Sequence, residues 1–173
     1  VACNRRILGE DGKVRINRGV NCFKSHLELR DLPDGVIDPM LKTVAFYENS
    51  RKIVSCHYYA THPMSYYGRG EVSADFVGLA RRKMQRRHPE VHQVYASGCS
   101  GDVTAGKYND GSHENRLLLA QRVYNAMVTS WKNTRRIAIF ASSPSRYAYC
   151  SGSRSASKMG SMTIRTAVCT TRS

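Results

Sequence analysis

Apolar and polar positions alternate along two neighbouring segments, residues 43–48 and 52–61, which are rich in β-branched and aromatic residues. This alternation is typical of half-buried β-strands, and the Glu48-Asn49-Ser50-Arg51 segment between them predicts a turn. Residues 91–96 and 136–141 are predicted as two further short strands. Alternate residues of a strand share a face, so one face of the second strand should carry Ile53, Ser55, His57 and Tyr59.

Helical spacing of apolar residues occurs at two later places. The first predicts a helix that begins after an N-cap at Ser73 and ends near His88-Pro89. The second predicts a helix over about residues 114–131. Its buried face should carry Leu117, Ala120, Tyr124, Met127 and Val128. The order strand, strand, helix, strand, helix, strand predicts an α/β fold with a mixed sheet flanked by helices.

The chain is predicted to divide at residue 141. Residues 1–141 carry the periodic segments and are expected to form part of an α/β domain. Residues 142–173 contain nine Ser and four Thr among 32 positions, with no acidic residue and no persistent period. This tail is predicted to be disordered or not native to the fold.

Charge is distributed unevenly along the sequence. The net charge is +14, from 27 Lys and Arg against 13 Asp and Glu, and no acidic residue follows Glu114. A basic segment can bind nucleic acid or an anionic lipid surface. Aromatic residues are sparse after Glu114, so a solvated tail is the preferred interpretation and nucleic acid is not the expected partner. No apolar run approaches the roughly 18 residues of a membrane span, so no transmembrane segment is predicted.

Two residues stand where α/β folds commonly place functional groups. His62 follows the second strand, at the kind of strand end where sites are built, and a neutral imidazole there could bind zinc. The alternative is a histidine packed at a strand end. Asp75 stands at a predicted helix start, where it could interact with the helix dipole or orient a ligand histidine.

The long loop before the second helix is the richest candidate for chemistry. The small residues Gly98, Cys99, Ser100 and Gly101 would allow backbone N–H groups to face an oxyanion or substrate. Cys99, Ser100 or Thr104 could act as a nucleophile. The spacing matches neither the G-x-S-x-G elbow nor a Walker loop, and a turn-rich loop without chemistry is the alternative.

Three segments together resemble the amino-terminal catalytic region of the neutral/alkaline, non-lysosomal ceramidase family. They are Tyr59-Ala60-Thr61-His62-Pro63, Ser73-Ala74-Asp75-Phe76-Val77-Gly78-Leu79-Ala80-Arg81-Arg82 and Ser97-Gly98-Cys99-Ser100-Gly101-Asp102-Val103-Thr104. The segment Gly106-Lys107-Tyr108-Asn109-Asp110-Gly111 is similar to a bacterial branch of that family. The resemblance covers about residues 4–140.

The resemblance implies a zinc-dependent amidase fold in which two histidines, a glutamate and a tyrosine bind the metal. His62 matches the second histidine, while the upstream His-x-His segment and the downstream ligands have no counterpart in this sequence. Thr104 takes the place of the family's catalytic serine, and Asp102 that of an asparagine. The resemblance thus implies a fragment of a hydrolase of amide or ester bonds, with lipids among its substrates and an extracytoplasmic location.

One further expectation follows from this resemblance. Flanking parts of the same parent protein would have to complete the zinc site, so this chain alone should show no amidase activity. Independently of the resemblance, the order of strands predicts that His62 lies next to the loop at residues 98–104, because both would leave the sheet at the same edge. The competing interpretations are a basic domain that binds nucleic acid or an anionic surface, and a structural remnant without chemistry.

Overall fold

The computed structural model describes residues 1–16, 18–19, 27–68, 70, 72–134 and 164–172, with residues 15–16 and 164–172 described by their backbone only. The strands are β1 (Cys3–Asn4), β2 (Arg6–Leu8), β3 (Val14–Ile16), β4 (Met40–Glu48), β5 (Arg51–Tyr59), β6 (His92–Ser97), β7 (Val103–Thr104) and β8 (Ile164–Arg172). The α-helices are α1 (Leu27–Arg30), α2 (Asp75–Arg87) and α3 (His113–Asn133), and a 3-10 turn spans Gly106–Tyr108.

The main sheet has four strands in the order β6-β5-β4-β8. Strand β4 is antiparallel to both β5 and β8, whereas β5 and β6 run parallel. The sheet is therefore mixed and the chain has an α/β fold, which confirms the predicted fold class. The predicted strands at residues 43–48, 52–61 and 91–96 correspond to β4, β5 and β6. Asn49 turns the β4–β5 hairpin with a φ of 54°, a conformation that asparagine tolerates.

One face of this sheet is covered by α2 and α3. Every second residue of β4 is buried from Leu41 to Tyr47, and on β5 the buried side chains are Ser55, His57 and Tyr59. This matches the predicted face of the second strand. The hydrophobic core lies between this face and the two helices. The helix side chains buried in it are Phe76, Val77, Ala80, Met84, Leu119, Ala120, Val123, Ala126 and Met127.

A directional chain of hydrogen bonds crosses the buried polar part of that interface. Gln93 Oε1 can only accept, so His57 Nε2, 3.0 Å away, carries the proton. His57 Nδ1 then accepts from the Thr43 hydroxyl at 2.8 Å, and the Ser130 hydroxyl donates to Thr43 Oγ1 at 2.7 Å. Burial lowers the pKa of His57 to about 4, so its imidazole is neutral at pH 7.

Helix α3 faces the sheet in a different phase from the predicted one. Ala120 and Met127 are buried as predicted, but Leu117 is 50% exposed, and the prediction that it faces the sheet is wrong. Leu119 and Val123 are buried instead. The small side chains of Ala120, Ala126 and Ser130 are buried, whereas the large ones of Tyr124, Val128 and Trp131 are only half-buried. Small residues on the buried face allow the helix to approach β4 closely enough for the hydrogen bond from Ser130.

One other prediction requires correction, and two lie wholly or partly outside the described residues. The N-cap position of α2 is Ala74 rather than Ser73, whose hydroxyl instead accepts from the Asp75 N–H at 3.0 Å. Within the predicted tail, Ile164–Arg172 form β8 and pair with β4 along its whole length. Residues 142–163 and the predicted strand at 136–141 lie outside the described residues.

The β5–α2–β6 connection joins two parallel strands through a helix. In such a unit the carboxyl ends of both strands and the start of the helix meet at one edge of the sheet, where α/β folds commonly build sites. His62 follows β5 and the loop at residues 98–104 follows β6, so both leave the sheet at this edge. No helix in the described part of the chain is long and apolar enough to cross a membrane.

Candidate functional site

His62 lies next to the loop that follows β6, as predicted. The N–H of Gly98 donates to the carbonyl of Tyr59 at 3.0 Å, and the N–H of His62 donates to the carbonyl of Val103 at 2.9 Å. These two hydrogen bonds hold the segment after β5 against both ends of the loop. They are contacts between residues about 40 positions apart in the chain.

The imidazole of His62 is held in one tautomer. Its Nδ1 lies 2.9 Å from the Val103 carbonyl oxygen, and a carbonyl can only accept. Nδ1 therefore carries the hydrogen, and in the neutral ring Nε2 keeps its lone pair. Among the described residues none bonds to this Nε2. Metal-binding histidines commonly donate their other ring N–H to a carbonyl or carboxylate in this way, which fixes the ring and raises its basicity.

Asp75 is buried and binds the backbone just beyond His62. Its carboxylate accepts from the N–H groups of Ser65 at 2.7 Å and Tyr66 at 3.3 Å, and also from the Ser65 hydroxyl. The helix contributes the N–H of Phe76 at 2.6 Å. Asp75 itself adopts a φ of 51°. The carboxylate thus fixes the loop that carries His62 but makes no hydrogen bond to its imidazole.

The predicted oxyanion loop is bound by the amino-terminal segment. Arg5 donates from its backbone to the carbonyl of Asp102 at 2.7 Å and from its guanidinium to the carbonyl of Gly101 at 3.0 Å. The Asp102 carboxylate accepts from the Arg6 N–H at 3.1 Å and lies 3.9 Å from the Arg6 guanidinium. Ser100 closes a turn through its carbonyl, which accepts from Val103 N–H at 3.0 Å. These contacts make the loop an ordered part of the fold.

The hydroxyl of Thr104 is already engaged within the fold. It donates to the carbonyl of Arg18 at 3.2 Å and accepts from the N–H of Gly106 at 3.1 Å. The backbone of Thr104 pairs with Cys3 in the small β1–β7 sheet. In this arrangement the hydroxyl organises the turn into the 3-10 segment, and attack on a substrate would require it to leave both partners. Cys99, the other candidate nucleophile of the loop, carries an exposed thiol.

A hydrogen bond between Tyr66, which follows His62 closely in sequence, and His113 was not anticipated from the sequence. The Tyr66 hydroxyl lies 2.7 Å from Nδ1 of His113, the first residue of α3. The Arg116 guanidinium carbon lies 4.7 Å from the centre of the Tyr66 ring. The nearest signal in the sequence is the spacing of Tyr66 four residues after His62. That spacing does not reveal a partner 47 positions away, so the pair could not be read from the sequence.

A cavity of about 290 Å³ has Arg30, Asp31, Lys107 and Tyr108 among its lining residues and none of the predicted site residues. Arg30 and Lys107, the cations among these lining residues, already have carboxylate partners. Arg30 Nε lies 2.7 Å from Asp31, and Lys107 Nζ lies 2.7 Å from Asp34. The lining residues that the structure describes therefore offer neither a free cation for an anionic ligand nor a link to His62.

The part of the chain that the structure describes contains no group of three or more His, Cys, Asp and Glu side chains that could hold a metal ion. The tautomer of His62 fits a single zinc ligand. A structural zinc site needs four ligands and a catalytic one usually three and a water. The described residues therefore fit one position of such a site and do not fit a complete one.

Comparison with known proteins identifies no relative of this chain. No family model, curated protein or solved structure matches it.

Proposed function

We propose that this chain carries part of the active site of a zinc-dependent hydrolase of amide or ester bonds, similar to the neutral ceramidases, with His62 as one zinc ligand. The observation that supports the proposal is the hydrogen bond from His62 Nδ1 to the Val103 carbonyl, which leaves Nε2 as the only ring nitrogen able to bind a metal. The position of His62 at the carboxyl end of β5, beside the β6 loop, also favours it.

The remaining ligands of the proposed site would come from flanking parts of the parent protein. The resemblance in sequence supplies the reason, because ceramidases bind zinc through a second histidine, a glutamate and a tyrosine. Since the described residues fit only one ligand position, we assign no reaction step to a metal on this chain alone.

The chain's own residues have two roles in this proposal. Asp75 positions the segment that carries His62 by binding Ser65 and Tyr66. The loop at residues 98–104 lies beside the imidazole. Arg5 and Arg6 hold this loop in place through hydrogen bonds to Gly101 and Asp102. An amide substrate, lipid amides included, would lie along this edge of the sheet.

Calorimetric titration with zinc at pH 7.5 tests the proposal. The whole chain should bind zinc weakly, the His62→Ala variant should lose this binding, and the His92→Ala variant should keep it. His92 is a suitable control because it is an exposed histidine at the start of β6, away from the loop.

Two outcomes would contradict the proposal in different ways. Zinc binding that is unchanged in His62→Ala would remove His62 as a ligand. A tight, stoichiometric site that disappears in His62→Ala would show that the site is complete in this chain. Hydrolysis of a fluorogenic N-acyl amide by the isolated chain with added zinc would support the second outcome.

A further inference from the structure

Helix α2 exposes four basic residues on two successive turns. Arg82, Lys83, Arg86 and Arg87 are all exposed, and we call them the basic face. Positions i, i+1, i+4 and i+5 of a helix fall within an arc of about 140° and about 8 Å of its axis. The basic face is therefore a compact surface and not a set of scattered charges.

No acidic residue in the described part of the chain neutralises the basic face. The ion pairs of the described residues involve other cations. The acids nearest in sequence are Asp75, which is buried on Ser65 and Tyr66, and Glu90, which lies 3.7 Å from His88. Like charges four positions apart on a helix repel each other. A bound polyanion would relieve this repulsion.

Neighbouring polar side chains on α3 hold two of the four cations in place. Lys83 Nζ donates to Gln121 Oε1 at 2.6 Å, and Arg87 donates to the Tyr124 hydroxyl at 3.2 Å. Gln121 in turn donates to Asn125 at 2.7 Å. Lysine, arginine, glutamine, asparagine and tyrosine are the side chains that commonly contact phosphate oxygens of nucleic acids.

We propose that the basic face binds the phosphodiester backbone of double-stranded nucleic acid without reading its sequence. Each strand of a duplex presents about one negative charge per 3.4 Å of the axis, so a compact group of four cations can contact neighbouring phosphates. Single strands are bound with exposed aromatic rings that stack on bases, and α2 has none. Membrane-surface helices insert an apolar face, whereas the apolar side chains of α2 pack into the protein core.

This surface differs from the basic segment that the sequence emphasised. The cations after Glu114 predict a solvated tail, for which nucleic acid is not the expected partner. The basic face lies before that point and became recognisable only when the structure showed which side of α2 is exposed. The proposal is also independent of His62 and of zinc.

Fluorescence anisotropy with a labelled 20-base-pair DNA duplex tests the proposal at 50–200 mM NaCl. The variant R82Q/K83Q/R86Q should bind about 10-fold more weakly than the unmodified chain at 50 mM NaCl. The slope of log K against log salt should fall in magnitude by about 2 to 3, because three phosphate contacts are lost. A second duplex of unrelated sequence should bind with the same affinity within about 3-fold.

The matched control is R30Q/K42Q/R51Q. It removes the same charge from three cations that already have carboxylate partners in Asp31, Asp38 and Glu48. The affinity of this control for the duplex should stay within about 3-fold of that of the unmodified chain. Both variants should unfold at the same temperature as the unmodified chain. Equal loss of affinity in the two variants would overturn the proposal in favour of net charge. Absence of duplex binding would also overturn the proposal. The same holds if the α2 variant loses binding to phosphatidylserine vesicles, the control keeps it, and duplex binding is unchanged.

Discussion

His57 donates a hydrogen bond of 3.0 Å to Gln93 on the neighbouring parallel strand. This bond fixes the direction of the other hydrogen bonds in the buried network, which runs from His57 through Thr43 to Ser130. Protonation of His57 at Nδ1 would turn its acceptor into a donor facing the Thr43 hydroxyl. The hydroxyl could then no longer donate to the ring. The interface between the sheet and α3 is therefore built around a neutral histidine.

Stability should fall as the pH drops from about 6.5 to about 4. Burial lowers the pKa of His57 to about 4 in the folded chain, while in the unfolded chain it returns to about 6.5. The unfolded chain then binds the proton more readily between these values, which favours unfolding by up to about 3 kcal/mol at the acid end. Urea denaturation at pH 7.5, 6.5, 5.5 and 4.5 measures this effect.

The control for the pH prediction is His92→Gln, which removes an exposed histidine and should leave the pH profile unchanged. His57→Gln should flatten the profile while lowering stability at pH 7.5. A profile as steep in His57→Gln as in the unmodified chain would assign the acid sensitivity to other groups.

Two neighbouring leucines of α3 should respond differently to truncation. Leu119→Ala should destabilise the chain by about 2 to 5 kcal/mol, because Leu119 is only 1% exposed in the core. Leu117→Ala should change the free energy of unfolding by about 0.5 kcal/mol or less, since Leu117 is half exposed. Thermal and urea unfolding of the two variants measure the difference. A larger effect at Leu117 would restore the helix phase predicted from the sequence.

Gly106 should not accept even one methyl group. A Cβ at this position would lie 2.3 Å from the Arg18 carbonyl oxygen and 2.9 Å from Cys3 Sγ. Gly106→Ala should therefore destabilise the chain by about 1 to 3 kcal/mol. Gly101→Ala is the matched control, because a Cβ there meets no atom within 4 Å. Equal stabilities of the two variants would show that the turn after Thr104 is less tightly packed than described.

Asp75 should control the order of the segment that carries His62. Asp75→Ala removes the acceptor for the Ser65 and Tyr66 N–H groups, so these two amides should exchange with solvent at least about 10-fold faster. Ser73→Ala removes one hydrogen bond to the Asp75 N–H and serves as the milder control. Hydrogen exchange followed by NMR resolves the two amides. Unchanged protection in Asp75→Ala would separate this carboxylate from the His62 segment.

The secondary structure could be predicted largely from the sequence, because alternation over β4 and β5 and the helical spacing of α2 and α3 are local signals. The set of α3 side chains that are buried could not be predicted in this way. Large apolar side chains such as Leu117 dominate a periodicity, whereas the structure buries Ala126 and Ser130, which allow close approach to β4.

The candidate site was predictable only in outline. The topology predicts that His62 and the loop at residues 98–104 meet at one edge of the sheet. The partners of their functional groups lie far away in sequence. The Thr104 hydroxyl donates to the carbonyl of Arg18, 86 positions away in the chain. The carbonyls of Gly101 and Asp102 accept hydrogen bonds from Arg5, which is 96 positions before Gly101. No local pattern encodes contacts of this range.

The most direct test of the proposed zinc ligand is a long-range ¹H–¹⁵N NMR spectrum of the His62 imidazole at pH 7.5, recorded before and after addition of zinc. The hydrogen bond to Val103 predicts a protonated Nδ1 and an unprotonated Nε2, and zinc should shift the Nε2 resonance while Nδ1 stays protonated. A ring protonated at Nε2, or an Nε2 resonance that zinc leaves unchanged, would contradict the proposal that His62 is oriented to bind a metal.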